Sequence, residues 1–160
     1  MCQGSETRHP PLTEDRIRDE LRRLRTLLHR HGHAATTRRA AAYEALLRAN
    51  DHLCVEHLLE AIARDHPDWH MNKTTAYRTL SLLGDLGLVS AMELPGERAQ
   101  YEVTLHGPHG HIVCRECGRL RDLDPDVLAQ LNDLVADQDF RTDPGQAIVG
   151  LCDACAAAAT

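Results

Sequence analysis

The chain is poor in aromatic residues, has no long apolar run and carries no excess of positive charge. Phe, Trp and Tyr make up 3% of its 160 residues, so a core must be built mostly from aliphatic side chains. No apolar stretch approaches the roughly 20 residues that a membrane-spanning helix needs, and no membrane association is expected. A basic segment followed by an apolar one, the mark of a secretory signal, is also missing. The expected location is therefore the cytoplasm, where thiols stay reduced. The net charge of −6 does not resemble that of a nucleic-acid binder, but it is unevenly spread. Residues 1–90 hold 13 Lys/Arg against 12 Asp/Glu and eight of the 11 histidines, whereas residues 91–160 hold 5 against 12. The N-terminal half is thus close to neutral, and it gains positive charge below about pH 6.5.

Cysteine is the exception to this plainness. Cys114 and Cys117 form one Cys-x-x-Cys pair, and Cys152 and Cys155 form another. Two such pairs in a short chain with reduced thiols point to one structural zinc held by four thiolates rather than to disulfides. A closed site of this kind leaves no open coordination position, so catalysis is not expected. The length allows one ordinary domain or two small ones, and a metal would help stabilise a small one. Cys2 sits in a polar tail. Cys54 reads as a small buried residue or a helix start, with a zinc or redox role left open by His52 two residues away.

Residues 1–13 are polar with Pro10-Pro11 and read as a disordered tail. From Glu14 the apolar positions Ile17, Leu21, Leu24 and Leu28 recur at helical spacing, with Thr13 as N-cap and Gly32 as terminator. Arg16, Arg18, Arg22, Arg23, Arg25 and Arg30 cover the rest of that helix, either as a solvated face or as phosphate contacts. His29, His31 and His33, two apart, splay around its end and make a weak metal candidate. Further helices are expected at about Thr36–Arg48 and Val55–Arg64. Another follows the Asn72-Lys73-Thr74-Thr75 start, with Ala76, Leu80, Leu83 and Leu86 on its apolar face and Gly87 as a C-cap.

Two strand-like runs, Leu88–Leu94 and Ala99–Leu105, flank the turn-rich Pro95-Gly96-Glu97-Arg98. Short helices followed by a hairpin describe a winged helix-turn-helix over residues 14–105. In that layout the helix before the hairpin enters the major groove of DNA. Lys73, Thr74, Thr75, Tyr77 and Arg78 would then meet DNA, and Arg39 could reach a phosphate. An ordinary small helical domain is the bland alternative.

His106-Gly107-Pro108 opens a hinge over residues 106–110. Residues 111–160 then read as a small α/β domain. Its strands are His111–Arg115, Leu120–Leu123 and Ala147–Leu151. A helix from Pro125 to about Gln138, N-capped by Asp124, is expected to turn Val127, Leu128, Leu131, Leu134 and Val135 inward. The tail from Ala156 to Thr160 reads as dispensable. So small a sheet cannot hide both faces, and pairing with a second copy is expected. The fold class is α+β, an N-terminal winged helix-turn-helix followed by an α/β dimerisation domain.

Three segments resemble the ferric uptake regulator family of metal-dependent repressors. They are Thr75-Ala76-Tyr77-Arg78-Thr79-Leu80, then His109-Gly110-His111-Ile112-Val113-Cys114-Arg115-Glu116-Cys117-Gly118, then Gly150-Leu151-Cys152-Asp153-Ala154-Cys155. The resemblance spans roughly residues 30 to 155. It implies a homodimer that represses transcription by binding a palindromic operator when loaded with a divalent metal. It implies that Cys114, Cys117, Cys152 and Cys155 hold structural Zn(II), and that His52, Glu102, His109 and His111 hold the regulatory ion. Their nitrogen and oxygen donors suit Fe(II) or Mn(II), with Zn(II) still possible.

Departures from the family pattern narrow the reading. The positions of a further histidine-rich site are occupied by Pro108, Gly110, Ala129 and Pro144, which cannot serve as ligands. No cysteine lies between Val55 and Val113, unlike many zinc-sensing members. Asp122 stands where peroxide-sensing members have a ligand to iron, so it is either a fifth ligand or an exposed strand residue. In those members, iron reacts with peroxide and a ligand histidine is oxidised. Outside this class, a zinc hydrolase would need an open metal position and a general base, for which Glu102 is the candidate. A metal-buffering protein would bind ions without any effect on DNA affinity.

Overall fold

A computed structural model describes residues 9–92, 98–107, 109–141 and 147–158. Cys2, the turn at Pro95-Gly96-Glu97, Pro108 and Pro144 lie outside the described residues. The chain divides into two compact units, with the boundary between Leu105 and His106.

Among its described residues the first unit contains four helices and a strand pair: α1 (Glu14–Arg30), α2 (Thr37–Ala49), α3 (Val55–Asp65), α4 (Lys73–Asp85), β1 (Val89–Met92) and β2 (Gln100–Val103). Three helices start where a polar side chain accepts a first-turn amide hydrogen: Thr13 from Arg16, Thr36 from Arg39 and Asn72 from Thr75. Each such cap stabilises a helix by about 1 kcal/mol. Gly87, at a φ of 67°, ends the α4 region in the left-handed conformation that glycine adopts without strain. Its N–H bonds Gly84, and the Leu88 N–H bonds Leu83.

The core joins Leu24 and Leu28 of α1, Tyr43, Leu46 and Leu47 of α2, Leu58 and Ile62 of α3, and Leu80 and Leu83 of α4. Leu88 and Val103 extend it to the hairpin. Helix α2 is central: Ala41, Ala42 and Ala45 are buried as well as its larger apolar residues, so it is enclosed on more than one side. The hairpin is antiparallel, with Ser90 opposite Glu102. Backbone bonds in both directions between Leu53 and Tyr101, each 2.9 Å, tie it to the segment before α3.

One expectation for this unit needs revision. Residues 9–13 are held in place: the Asn50 amide donates to the Pro10 carbonyl at 2.7 Å, and Leu12 packs on the core. The arginine face of α1 is exposed to solvent, and four of its arginines meet carboxylates of the same helix. Arg16 and Arg23 meet Glu20, Arg18 meets Asp15, and Arg22 meets Asp19. Glu20, which sequence periodicity does not single out, is buried at 3% exposure and also accepts from the Tyr43 hydroxyl at 3.3 Å.

A 3₁₀ turn (Thr104–His106) spans the boundary, and the second unit holds β3 (His111–Cys114), β4 (Leu120–Asp122), α5 (Pro125–Ala136), β5 (Ala147–Gly150) and α6 (Asp153–Ala158) among its described residues. The sheet order is β4-β3-β5, with β4 antiparallel and β5 parallel to β3. Asp124 caps α5 and Pro125 opens it, as its missing N–H permits. The inward face expected for α5 is not covered: the helix has no buried residue, and Val127 and Leu134 are 49% and 67% exposed. The C-terminal stretch read as dispensable forms α6 as far as Ala158.

Candidate metal centres and nucleic-acid interface

The thiolate site is assembled by the sheet. Cys114 closes β3 and Cys117 follows in the turn to β4, while the parallel partner β5 places Cys152 just beyond its end. Cys155 follows within α6. The four sulfurs all lie within 4.8 Å of one another, and Cys117 and Cys152 are 3.8 Å apart. Sulfurs about 2.3 Å from a tetrahedral zinc stand roughly 3.8 Å apart, so the residues fit that ion. No disulfide forms among the described residues.

The backbone N–H of Cys152 donates to the Cys114 sulfur at 3.4 Å. That bond is the largest of several that draw the Cys114 thiol down to about 6. Cys155 is pushed up to about 12, chiefly by its side-chain bond with Cys152. The cluster therefore holds a thiolate readily at one corner and resists forming one at another. A divalent cation is the natural counter-charge for completing the set.

A second donor set in the same unit lies on β3 and β4. His111 stands directly opposite Asp122 in the antiparallel register, so their side chains share a face. His109 Nε2 and His111 Nε2 lie 3.6 Å and 3.8 Å from Asp122 Oδ1. These separations are long for hydrogen bonds, yet they suit ligands grouped around one ion with bonds of about 2.1 Å. The His109 Nδ1 faces the Gly107 carbonyl at 3.0 Å. A proton on Nδ1 would be donated there, leaving Nε2 as the ligating atom. His111 is 2% exposed, and the Asp122 side chain is 10% exposed rather than solvated.

The first unit carries two more candidate ligands. His52 is buried, and its Nε2 lies 3.3 Å from Glu102 Oε2. The other Glu102 oxygen accepts from Ser90 across the hairpin at 3.0 Å. Cys54 is buried at the N-cap of α3, without a side-chain cap bond. His29, His31 and His33 are exposed and join no metal-ligand cluster among the described residues.

Helix α4 presents Lys73, Thr74, Tyr77 and Arg78 to solvent, while Thr75 is half-buried. Lys73 is engaged: its Nζ lies 2.6 Å from Glu56 Oε1. Glu56 also faces Arg98, at 3.3 Å, and its carboxyl is held down at about 2, first by the Lys73 hydrogen bond. Arg39 is half-buried and donates to the Ala34 carbonyl. Arg38, Trp69 and Glu56 were not among the DNA-facing residues expected from sequence. The ring of Trp69 stacks on His66 and lies 5.8 Å from the Arg38 guanidinium. No motif marks these residues; only packing brings α2, α3 and the loop before α4 together.

Four helices and a hairpin presenting a polar helix face, together with a unit built around four thiolates, define a metal-binding protein of winged-helix type. The ferric uptake regulator family model matches residues 30–145, and the chain belongs to that family. It is a metal-responsive, DNA-binding transcription regulator. The chain is similar to the ferric uptake regulation protein of Campylobacter upsaliensis, with 25% identity over 137 residues, 84% of this chain and 88% of that one. It is 26% identical over 132 residues to the peroxide-responsive repressor PerR of Staphylococcus saprophyticus, covering 81% and 87% of the two chains. The structure of the Helicobacter pylori ferric uptake regulator Fur superposes with a TM-score of 0.75 at 22% identity, over 92% of this chain and 97% of that one. That likeness establishes the shared fold.

Proposed function

We propose that this protein is a cytoplasmic, non-enzymatic repressor of metal-homeostasis genes. It acts as a homodimer on a palindromic operator when loaded with Fe(II) or Mn(II). Zn(II) at Cys114, Cys117, Cys152 and Cys155 is structural. The regulatory ion is held by His52, Glu102, His109 and His111, with Asp122 as a further ligand. Lys73, Thr74, Thr75, Tyr77, Arg78 and Arg39 contact operator DNA.

The observation that carries this reading is the grouping of His109, two residues before β3, with His111 of β3 and Asp122 of β4, all three largely shielded from solvent. Its nitrogen and oxygen donors are harder than the neighbouring thiolates, so the two sets favour different ions. The same grouping supports a second reading, a peroxide sensor, since Asp122 is turned toward both histidines. Fe(II) at the site would supply the redox chemistry needed for that response. A zinc uptake regulator is the remaining alternative, and nothing in the donor set favours it specifically.

The test is binding to genomic fragments by zinc-loaded protein titrated with Mn(II), with Fe(II) without oxygen, or with buffered Zn(II). Tight binding induced by Mn(II) or Fe(II), insensitive to peroxide, is expected for a metal uptake regulator. Binding lost after peroxide only in the Fe(II) form identifies the peroxide sensor. A response to zinc alone identifies the zinc regulator, and DNA binding indifferent to every metal overturns the proposal.

A further inference from the structure

Most arginines of the first unit have an acidic neighbour, Arg98 included, while Arg25 and Arg30 of α1 have none within 4.0 Å among the described residues and do not line the concavity that Arg38, Arg39 and Arg78 share. Arg16, Arg18, Arg22, Arg23, Arg48 and Arg64 each face a carboxylate within 4.0 Å. Arg38, Arg39 and Arg78 face none among the described residues, yet all three line one open concavity of about 600 Å³. Arg38 and Arg39 come from the first turn of α2, and Arg78 comes from α4. Trp69 and Thr75 line the same space.

Three like charges kept together without a counter-charge cost free energy through mutual repulsion, and an anion at the centre removes that cost. The start of α2 adds the positive end of a helix dipole. Trp69 lies against Arg38, and Arg39 is tethered to the Ala34 carbonyl. Two of the three guanidiniums are thus restrained before any ligand arrives, and a guanidinium held over an aromatic face keeps N–H donors available.

We propose that Arg38, Arg39, Arg78 and Trp69 form a clamp for one phosphodiester group of the DNA backbone, beside the groove-reading face of α4. The inference rests on the DNA-binding function proposed above. It adds Arg38 and Trp69 to the interface and assigns the cluster to phosphate rather than to a base edge. A base edge is read by donors in a fixed pattern on one element. Arginines from two helices that line one concavity match an anion that lacks sequence information.

The test uses the full-length, metal-loaded protein. Its affinity is measured by fluorescence anisotropy over a range of salt concentrations. One probe is a duplex selected by the parent protein from a random pool, and the other is an unselected mixed-sequence duplex. Arg38→Ala is expected to weaken binding to both duplexes by a similar factor and to make the log–log salt slope shallower by about one. Arg64→Ala removes an arginine outside the concavity and is expected to leave slope and affinity unchanged. Trp69→Phe, which keeps an aromatic ring in the packing, is expected to weaken both duplexes by a smaller factor.

An unchanged slope in folded Arg38→Ala overturns the clamp while leaving the repressor reading intact. A loss confined to the selected duplex overturns it in favour of a base contact. Inorganic phosphate is titrated separately in the absence of DNA. Saturable binding that depends on Arg38, combined with an unchanged DNA salt slope, reassigns the concavity to free phosphate. If the parent binds neither duplex with any metal, the repressor reading fails and the clamp fails with it.

Discussion

Lys73, the first residue of α4, is tied to Glu56 of α3 by a 2.6 Å ion pair, and the same carboxylate reaches Arg98 at 3.3 Å. One acidic side chain therefore neutralises two cations, one at the start of α4 and one beside the hairpin. Glu56→Gln should free both cations for phosphate. A several-fold rise in affinity for duplex DNA of any sequence is expected, with a steeper salt slope, as read by anisotropy. A drop in affinity would show instead that Glu56 acts by positioning Lys73. The pair has a pH signature as well. The folded-state carboxyl is depressed to about 2, so its contribution is complete above the ordinary carboxylate range and is lost as pH falls through that range toward 2. A partly exposed pair contributes roughly 0.2–1 kcal/mol, so acid titration of Glu56→Gln should differ from the parent by no more than that.

Glu20 is the inverse case, a carboxylate whose partners are all needed. It is buried, with Arg16 at 3.0 Å, Arg23 at 3.3 Å and the Tyr43 hydroxyl at 3.3 Å. Removing the carboxylate leaves a buried hydroxyl without its partner, while the two half-exposed guanidiniums turn to water, so Glu20→Ala should cost about 1–3 kcal/mol in urea unfolding. A loss below about 0.5 kcal/mol would mean that water replaces those bonds at no cost.

Tyr43 gives a second pH dependence of opposite sign. Burial, then the neighbouring Glu20 carboxylate, push its phenol well above the ordinary range. In alkali the folded chain therefore keeps a proton that the unfolded chain has released, and stability falls as pH rises above about 10. Tyr43→Phe should remove this component of the alkaline loss. Parallel unfolding curves for parent and variant between neutral and strongly alkaline pH would count against it.

What could be read from sequence divides along physical lines. Helices α1 to α4 were legible because aliphatic side chains recur at helical spacing and Thr13, Thr36 and Asn72 stand at their starts. The paired cysteines were legible because their spacing is local and their chemistry is distinctive. Glu20 was not, since a carboxylate within an arginine-rich helix looks solvated until Tyr43 is packed against it. The grouping of Asp122 with His111 depends on the β3–β4 register, which no local pattern determines; only family resemblance pointed there. The inward reading of α5 failed for another reason. Periodicity identifies an apolar face, but it does not say whether that face is covered by the same chain or by another.

The two donor sets should separate experimentally. Cys114→Ser removes a structural thiolate and is expected to lose bound zinc and the folded second unit, seen in metal analysis and near-UV circular dichroism. Asp122→Ala is expected to keep zinc and fold while changing the metal that induces DNA binding or abolishing the peroxide response. Loss of zinc in Asp122→Ala would sink the division into structural and regulatory sites.

The uncovered apolar surface of the second unit leads to the last expectation. Val127 and Leu134 of α5 are exposed, as are Ile112 on β3 and Ile148 on the edge strand β5. Ile112 and Ile148 are register partners, so they lie side by side on one face of the sheet. Leaving four large aliphatic side chains partly in water forgoes a share, about half, of the roughly 1.5–3 kcal/mol that full burial of each gains. A second copy of the chain, meeting the first through this surface, recovers part of that. Ile148→Lys and Leu134→Glu place charges on the strand and the helix without touching a cysteine, a histidine or Asp122. Sedimentation should show monomers that still hold one zinc each, and operator binding should weaken by more than a single lost contact explains, because two half-sites are no longer engaged together. Dimers that persist in both variants, with unchanged operator affinity, would place the interface on a different surface of the chain.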